Sequence, residues 1–335
     1  MKRIKRFLGI VVLLVVIIYF LGPKPSKPEL NKNLPSISSN VGSIENLVAN
    51  SSAGMKLKSD NESRIFWAKD SVKERTDYAV LYLHGFSASW YEGYPAHVKF
   101  AEKFGCNLYI PRLASHGIDT VDALIDMTPD RLWESAKEAL IVARGLGKKV
   151  IIMSTSTGGT LGLKLAADFP EYVHGLILYS PNIRINNGAA FLLSKPWGLQ
   201  IGRKSVGGKY RITNEDFESK DCQYWNCKYR MEATVYLQQL VESTMKKETY
   251  EKVMAPVFLG YYYKDENNQD DVVKVSAMLK MFDQLGTNAE NKTKVAFPEA
   301  GSHVIACELT SGSVEKVISE SIKFGTEVLK LKAVK

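Results

Sequence analysis

From about residue 46 onward, the chain alternates short apolar runs with segments of helical periodicity. The apolar runs are continuous, which is typical of parallel strands covered on both faces. They are YAVLYL (78–83), CNLYI (106–110), KVIIM (149–153), GLILYS (175–180), PVFLGYYY (256–263) and KVAF (294–297). The helical segments are about 95–104, 129–145, 158–168, 273–285 and 311–331. This order predicts a doubly wound, mostly parallel α/β sheet.

One interval interrupts the alternation. Residues 182–252, between the fourth and fifth apolar runs, are far more than a simple crossover connection requires. The interval includes a helical segment of its own at 231–245 and is rich in aromatic residues: Phe191, Trp197, Tyr210, Phe217, Tyr224, Trp225, Tyr229 and Tyr236. We interpret 182–252 as a helical cap inserted over the end of the sheet.

The N-terminal residues 1–22 join four basic residues to an unbroken apolar run from Phe7 to Gly22. This pattern predicts a membrane-targeting segment. A spanning helix needs roughly 17–25 residues, so the run is short, and it also fits the core of a signal peptide. No A-x-A-like cleavage site follows it. We therefore expect a retained membrane anchor with the main domain on the non-cytoplasmic side, and secretion after signal cleavage is the alternative.

Residues 23–45 are rich in proline, serine and asparagine, which predicts a linker before a folded domain at 46–335. The net charge of +8 raises the question of a nucleic-acid partner. Residues 1–32, however, hold seven basic residues against Glu29 alone, so the rest of the chain carries only +2. The charge distribution therefore argues against nucleic-acid binding.

The chain has four cysteines. Cys222 and Cys227 are close enough in sequence for a local disulfide, and whether they pair is left open. They lack nearby third and fourth ligands for a metal site. Cys106 and Cys307 lie in apolar surroundings and are expected in the core. The sequence predicts no cofactor and no metal.

The segment STSTGG follows the buried run VIIM and precedes a helical segment. A sharp strand-to-helix turn around a nucleophile requires small residues two positions before and after it, most often as G-x-S-x-G. Ser154-Thr155-Ser156-Thr157-Gly158 fits, with Ser154 in place of the first glycine. A phosphate-binding loop is the alternative, but its lysine is missing. The pattern makes Ser156 the candidate nucleophile.

A serine hydroxyl needs a base, and the base needs an orienting carboxylate. In folds with this turn, the chain order is serine, acid, histidine. His303 follows the last apolar run in FPEAGSH and is the candidate base. The acid should lie in KDENNQDDVV: counting from the strand favours Asp265, whereas counting back from the next helix favours Asp270. We favour Asp270.

The same geometry predicts the oxyanion hole, which binds the negative charge of an acyl-transfer intermediate. One N–H comes from Thr157, after the nucleophile, and the other from Phe86, in the loop after the first strand. His84 opens that loop in HGFSAS and is expected to shape it, while His116 is expected to structure the neighbouring loop.

These residues together resemble the α/β-hydrolase superfamily over about residues 60–330, most closely its monoacylglycerol lipase, lysophospholipase and carboxylesterase branch, with serine aminopeptidase-like members. The motifs are HGFSAS, RLASHG, STSTGG, DDVV and GSH. Ser154 and a long acid loop depart from the usual pattern. The resemblance implies a serine hydrolase that cleaves carboxylic esters of small acyl or lipid-like substrates. The alternatives are a thioesterase, acyltransferase or peptidase with the same triad, or a non-catalytic membrane-tethered binding protein.

Overall fold

The computed structural model describes residues 2–334, and its centre is a seven-stranded sheet. The strands of the chain are β1 Arg64–Phe66, β2 Thr76–Leu83, β3 Asn107–Ile110, β4 Gly147–Thr155, β5 Val173–Tyr179, β6 Tyr210–Ile212, β7 Lys228–Arg230, β8 Val257–Tyr261 and β9 Lys292–Ala296, of which β6 and β7 lie outside this sheet. The strand order in the sheet is β1-β3-β2-β4-β5-β8-β9, and every neighbouring pair is parallel except the edge pair of β1 and β3. The predicted mostly parallel, doubly wound α/β fold is confirmed.

All five predicted helical segments are helices in the structure. The helices are α1 Lys2–Phe20, α2 Val41–Asn50, α3 Ala96–Phe104, α4 Pro129–Leu146, α5 Thr157–Asp168, α6 Gly198–Ser205, α7 Lys220–Tyr224, α8 Met231–Thr244, α9 Lys247–Tyr250, α10 Val275–Asp283 and α11 Val314–Glu327. Short 3₁₀ turns lie between some of the strands and helices, including Trp90–Gly93 between β2 and α3.

The central strand β4 explains why the apolar runs are continuous. Its residues Val150 and Ile152 pack on one face of the sheet with α4 and α5. Ile151 and Met153 pack on the other face with α3 and α11. Because successive side chains of a strand point to opposite faces, a strand covered on both sides must be apolar at every position. With both faces of the sheet covered, the carboxyl ends of the strands remain available for the candidate functional residues.

The interval between β5 and β8, predicted as a cap at 182–252, holds α6 to α9 and a two-stranded antiparallel pair, β6 and β7. It contacts the loop that follows β2. The backbone N–H of Asn226 donates to the Ser87 carbonyl at 2.8 Å, and the Tyr229 ring meets the Phe86 ring edge-on at 5.1 Å between centroids. The interval therefore lies against the carboxyl end of β2.

Cys222 and Cys227 form a disulfide, with their Cα atoms 5.4 Å apart. The bond closes the turn that carries Asn226 against the β2 loop. Cys106 and Cys307 are free and buried, as expected of core residues.

Helix α1 carries the basic cluster and most of the apolar run. No helix among residues 2–334 is long and apolar enough to cross a membrane. The helical apolar stretch from Phe7 to Phe20 spans only about 20 Å at ~1.5 Å per residue, whereas a bilayer core is ~30 Å thick. The prediction of a membrane-spanning anchor at residues 1–22 is therefore not supported by the structure.

Residues 23–40, inside the predicted linker, form neither helix nor strand; residues 29–33 bond to α4, and α2 begins at Val41. The fully buried Lys137 amine of α4 donates to Asn31 Oδ1 at 2.8 Å and to the Asn33 carbonyl. Asp130 Oδ1 accepts the backbone N–H groups of Glu29 and Leu30. These bonds fix the segment to the helix that packs against β2 and β4.

Candidate active site

Ser156 lies between the end of β4 and the start of α5. Its backbone has φ 53° and ψ −118°, a strained conformation for a residue with a side chain. Bonds on both sides hold it: its N–H donates to the Tyr179 carbonyl at 3.0 Å, and its carbonyl accepts the N–H groups of Gly159 and Asn182 at 2.9 and 2.8 Å. The turn therefore presents the Ser156 side chain at the carboxyl edge of the sheet.

Gly158 makes this turn sterically possible. A β carbon at Gly158 would lie 1.9 Å from the carbonyl oxygen of Leu83 and 2.8 Å from that of His84. The first turn of α5 thus passes directly against the end of β2. This contact explains why the position two residues after the nucleophile must be glycine.

We expect Gly158→Ala to lower the free energy of unfolding by at least about 2 kcal/mol, because the added methyl group meets backbone rather than a movable side chain. Urea denaturation of the full chain measures this change. Gly188→Ala is the matched control, since a β carbon there would meet nothing within 4 Å. Equal stability of the two variants would contradict the close approach of α5 to β2.

His303 and Asp270 form a buried pair. His303 Nδ1 lies 2.6 Å from Asp270 Oδ2. Burial alone would lower the pKa of His303, but the charge of Asp270 and its hydrogen bond raise this pKa above the ordinary value. His303 Nε2 is buried and has no hydrogen-bond partner among residues 2–334. The ring is thus held through one nitrogen, and the other is left without a bond.

The acid loop distinguishes the two candidate aspartates. Asp270 is 1% exposed, and its Oδ1 accepts the N–H groups of Val272 and Val273 at 3.0 and 2.9 Å, which leaves Oδ2 for His303. Asp265 is exposed and accepts bonds from Asn267 and Asn268 in its own turn. The structure therefore brings Asp270, and not Asp265, to His303.

In the loop after β2, the N–H groups on both sides of Phe86 are bonded, whereas that of Phe86 is not bonded within residues 2–334. Gly85 N–H donates to Glu92 Oε2, Ser87 N–H donates to His116 Nε2 at 3.2 Å, and Ala88 N–H donates to the Gly85 carbonyl. The N–H of Phe86 has no acceptor in the described part of the chain. Thr157, the first residue of α5, lacks an intrahelical acceptor for its N–H as well. These are the two N–H groups predicted for an oxyanion hole.

His84 and His116 are buried and act as hydrogen-bond acceptors. His84 Nε2 accepts the Leu113 N–H at 3.1 Å. Burial lowers the pKa of His84 well below its ordinary value and that of His116 to about 4. Both rings are therefore neutral near pH 7, which leaves their Nε2 atoms free to accept backbone N–H groups. They hold the β2 loop and its neighbour, in the way expected from their sequence positions.

Glu92 is a buried acid beside this loop that the sequence pattern did not single out. It lies in the 3₁₀ turn Trp90–Gly93 and is 2% exposed. Burial raises its pKa to about 8, although the Gly85 N–H and His303 oppose the shift. The available signal was weak: an acid inside the aromatic stretch WYEGY.

Comparisons with known proteins identify the family and the fold. The family model described as the alpha/beta hydrolase family matches residues 80–306, more than half of the chain, and the chain therefore belongs to that family. No curated protein matches significantly.

Solved structures show the same fold at low identity. One, from work on the metagenome-derived lipolytic enzymes LipS and LipT, is 16% identical with a TM-score of 0.64 and covers 80% of this chain and 98% of its own. A monoacylglycerol lipase of Paleococcus ferrophilus is 13% identical with a TM-score of 0.56, covering 81% and 98%. Est1E of Butyrivibrio proteoclasticus with ferulic acid bound is 17% identical with a TM-score of 0.51, covering 83% and 98%.

Proposed function

We propose that this protein is a serine hydrolase that cleaves carboxylic esters through an acyl-enzyme intermediate. The observation that carries the proposal is the buried pair of His303 and Asp270, whose second ring nitrogen is unbonded. A histidine held in this way is a general base for a nearby hydroxyl. The strained turn at Ser156 supplies that hydroxyl.

In the proposed mechanism, Ser156 Oγ attacks the acyl carbon while its proton passes to His303 Nε2. Asp270 Oδ2 holds the proton on Nδ1 and stabilises the imidazolium. The N–H groups of Phe86 and Thr157 bind the negative charge that develops on the carbonyl oxygen. His303 then gives its proton to the leaving alcohol, and a water molecule releases the acyl group from Ser156 by the same steps.

We propose an apolar acyl or lipid-like substrate. The support is the aromatic cap, which brings the Tyr229 ring against Phe86 beside the predicted oxyanion hole. The structural similarity to lipolytic enzymes and to a monoacylglycerol lipase is compatible with this substrate class. A series of 4-nitrophenyl esters of increasing chain length tests it: kcat/KM should rise with chain length, and a maximum at acetate would argue against it.

A fluorophosphonate probe tests the proposed chemistry. Such a probe phosphonylates only a serine that is activated by a base. We expect one adduct on Ser156, mapped by mass spectrometry, and its loss in His303→Ala. His174→Ala is the control, because that half-buried histidine lies at the start of β5, at the other end of the sheet from Ser156. An adduct at another serine, or none on the folded protein, would overturn the proposal.

A further inference from the structure

The 3₁₀ turn Trp90–Gly93, which follows the β2 loop, carries Glu92, and the carboxyl group of Glu92 contacts that loop. Glu92 Oε2 accepts the Gly85 N–H, one residue before Phe86. A β carbon at Gly85 would lie 2.7 Å from Glu92 Oε1 and 2.9 Å from the Ser156 β carbon. Those two atoms are thus at most about 5.6 Å apart, the sum of the two distances. The Glu92 carboxyl therefore lies close to both the β2 loop and the turn that carries Ser156.

A second bond connects Glu92 to the Ser156 turn. The Tyr82 hydroxyl lies 3.5 Å from Glu92 Oε2 and 2.8 Å from the hydroxyl of Thr155, the residue before Ser156. The path from the Gly85 N–H through Glu92 and Tyr82 to Thr155 is made of buried groups. It joins the predicted oxyanion loop to the predicted nucleophile turn.

A buried carboxyl without a cationic partner is costly. Among the described residues, no lysine or arginine forms an ion pair with Glu92. The titratable groups around it are Tyr82 of β2, His303 and Cys307, and the Trp225 side chain approaches from the predicted cap. Buried acids with perturbed titration cluster at functional sites, and this one adjoins a candidate nucleophile and base.

We propose that Glu92 is a positioning residue that holds the His84–Gly85 peptide so that the N–H of the next residue, Phe86, faces the oxyanion. The Phe86 N–H is an unbonded donor of this loop, and Glu92 fixes the peptide just before it. The inference rests on the proposed function, because an oxyanion forms only if an acyl group is transferred. Glu92 acts through Gly85 and does not itself touch the substrate.

The test compares Glu92→Ala and Glu92→Gln in the full chain with a 4-nitrophenyl ester. Alanine removes the acceptor for the Gly85 N–H, so we expect kcat to fall about 100-fold with KM within about 3-fold, as for loss of an oxyanion donor. Glutamine keeps an acceptor oxygen of the same reach, so kcat should stay within about 10-fold of the wild type. Glu308→Gln is the control, because Glu308 is an exposed acid that accepts the Tyr91 hydroxyl.

The pH profile supplies a readout that a merely structural role would not change. Because burial raises the pKa of Glu92 to about 8, the carboxyl becomes charged above that pH. A negative charge there opposes a developing oxyanion, so wild-type kcat should decline above about pH 8, and that of Glu92→Gln should not. This comparison remains available if Glu92→Ala fails to fold.

The outcomes separate this inference from the proposed function. Wild-type kcat in folded Glu92→Ala, or identical pH profiles for the wild type and Glu92→Gln, overturns the positioning role while Ser156 is still labelled by fluorophosphonate. Absence of labelling in the wild type overturns the proposed function itself. The inference is supported if Glu92→Gln restores the kcat that Glu92→Ala loses and only the wild type declines above about pH 8.

Discussion

Replacing Ser156 with alanine should lower kcat/KM for an acyl ester by at least about 10⁴-fold, because no other group then forms the covalent intermediate. The fold should not change. The alanine keeps the backbone bonds that hold the turn, and the Ser156 hydroxyl forms no hydrogen bond within residues 2–334. Ester hydrolysis and a thermal melt of the same preparation measure both quantities.

Ser154→Ala is the matched control for that experiment. Ser154 lies two residues earlier in the same turn, is fully buried, and its hydroxyl has no hydrogen-bond partner in the described chain. Its removal should leave kcat/KM within about 3-fold of the wild type. Full esterase activity in Ser156→Ala, or equal losses in the two variants, would show that Ser156 is not the nucleophile.

The sheet could be predicted from sequence because strands buried on both faces are continuous apolar runs. The strand candidate KVIIM lies within β4, whose alternating residues reach two separate cores. The edge strand β1 could not be predicted in this way, because it has only three residues and all are partly exposed. The contact of segment 23–40 with α4 could not be predicted either. Lys137 holds the segment through an asparagine side chain and a backbone carbonyl, and such bonds produce no apolar pattern.

The candidate site shows the same division. The strand–serine–helix turn could be read from residue spacing, because the close contact of Gly158 with Leu83 restricts which residues fit. The role of Glu92 could not be predicted from spacing. Its burial depends on side chains that are remote in the chain, including Trp225 of the predicted cap. Local sequence gives no sign that an acid in a turn is enclosed from the other side.

Spacing along the chain also did not decide whether Asp265 or Asp270 is the orienting carboxylate. We expect the variants Asp270→Asn and Asp265→Asn to differ sharply in kcat. In Asp270→Asn, the amide oxygen can still accept the Val272 and Val273 N–H groups, so the loop should persist. Its NH₂ group would then face His303 Nδ1 and favour the tautomer with the proton on Nε2. That nitrogen could no longer accept a proton from serine. We expect kcat to fall by about 10⁴-fold, as in triads where the same exchange has been made.

Asp265→Asn is the control, because asparagine at that exposed position can still accept the N–H groups of Asn267 and Asn268. Its kcat should stay within about 2-fold of the wild type. The pH dependence of the residual activity should also shift in a defined direction. Asp270 raises the pKa of His303, so residual activity in Asp270→Asn should keep its acid limb at lower pH than the wild type. The opposite ranking of the two variants would assign the orienting carboxylate to Asp265 and require the acid loop to rearrange.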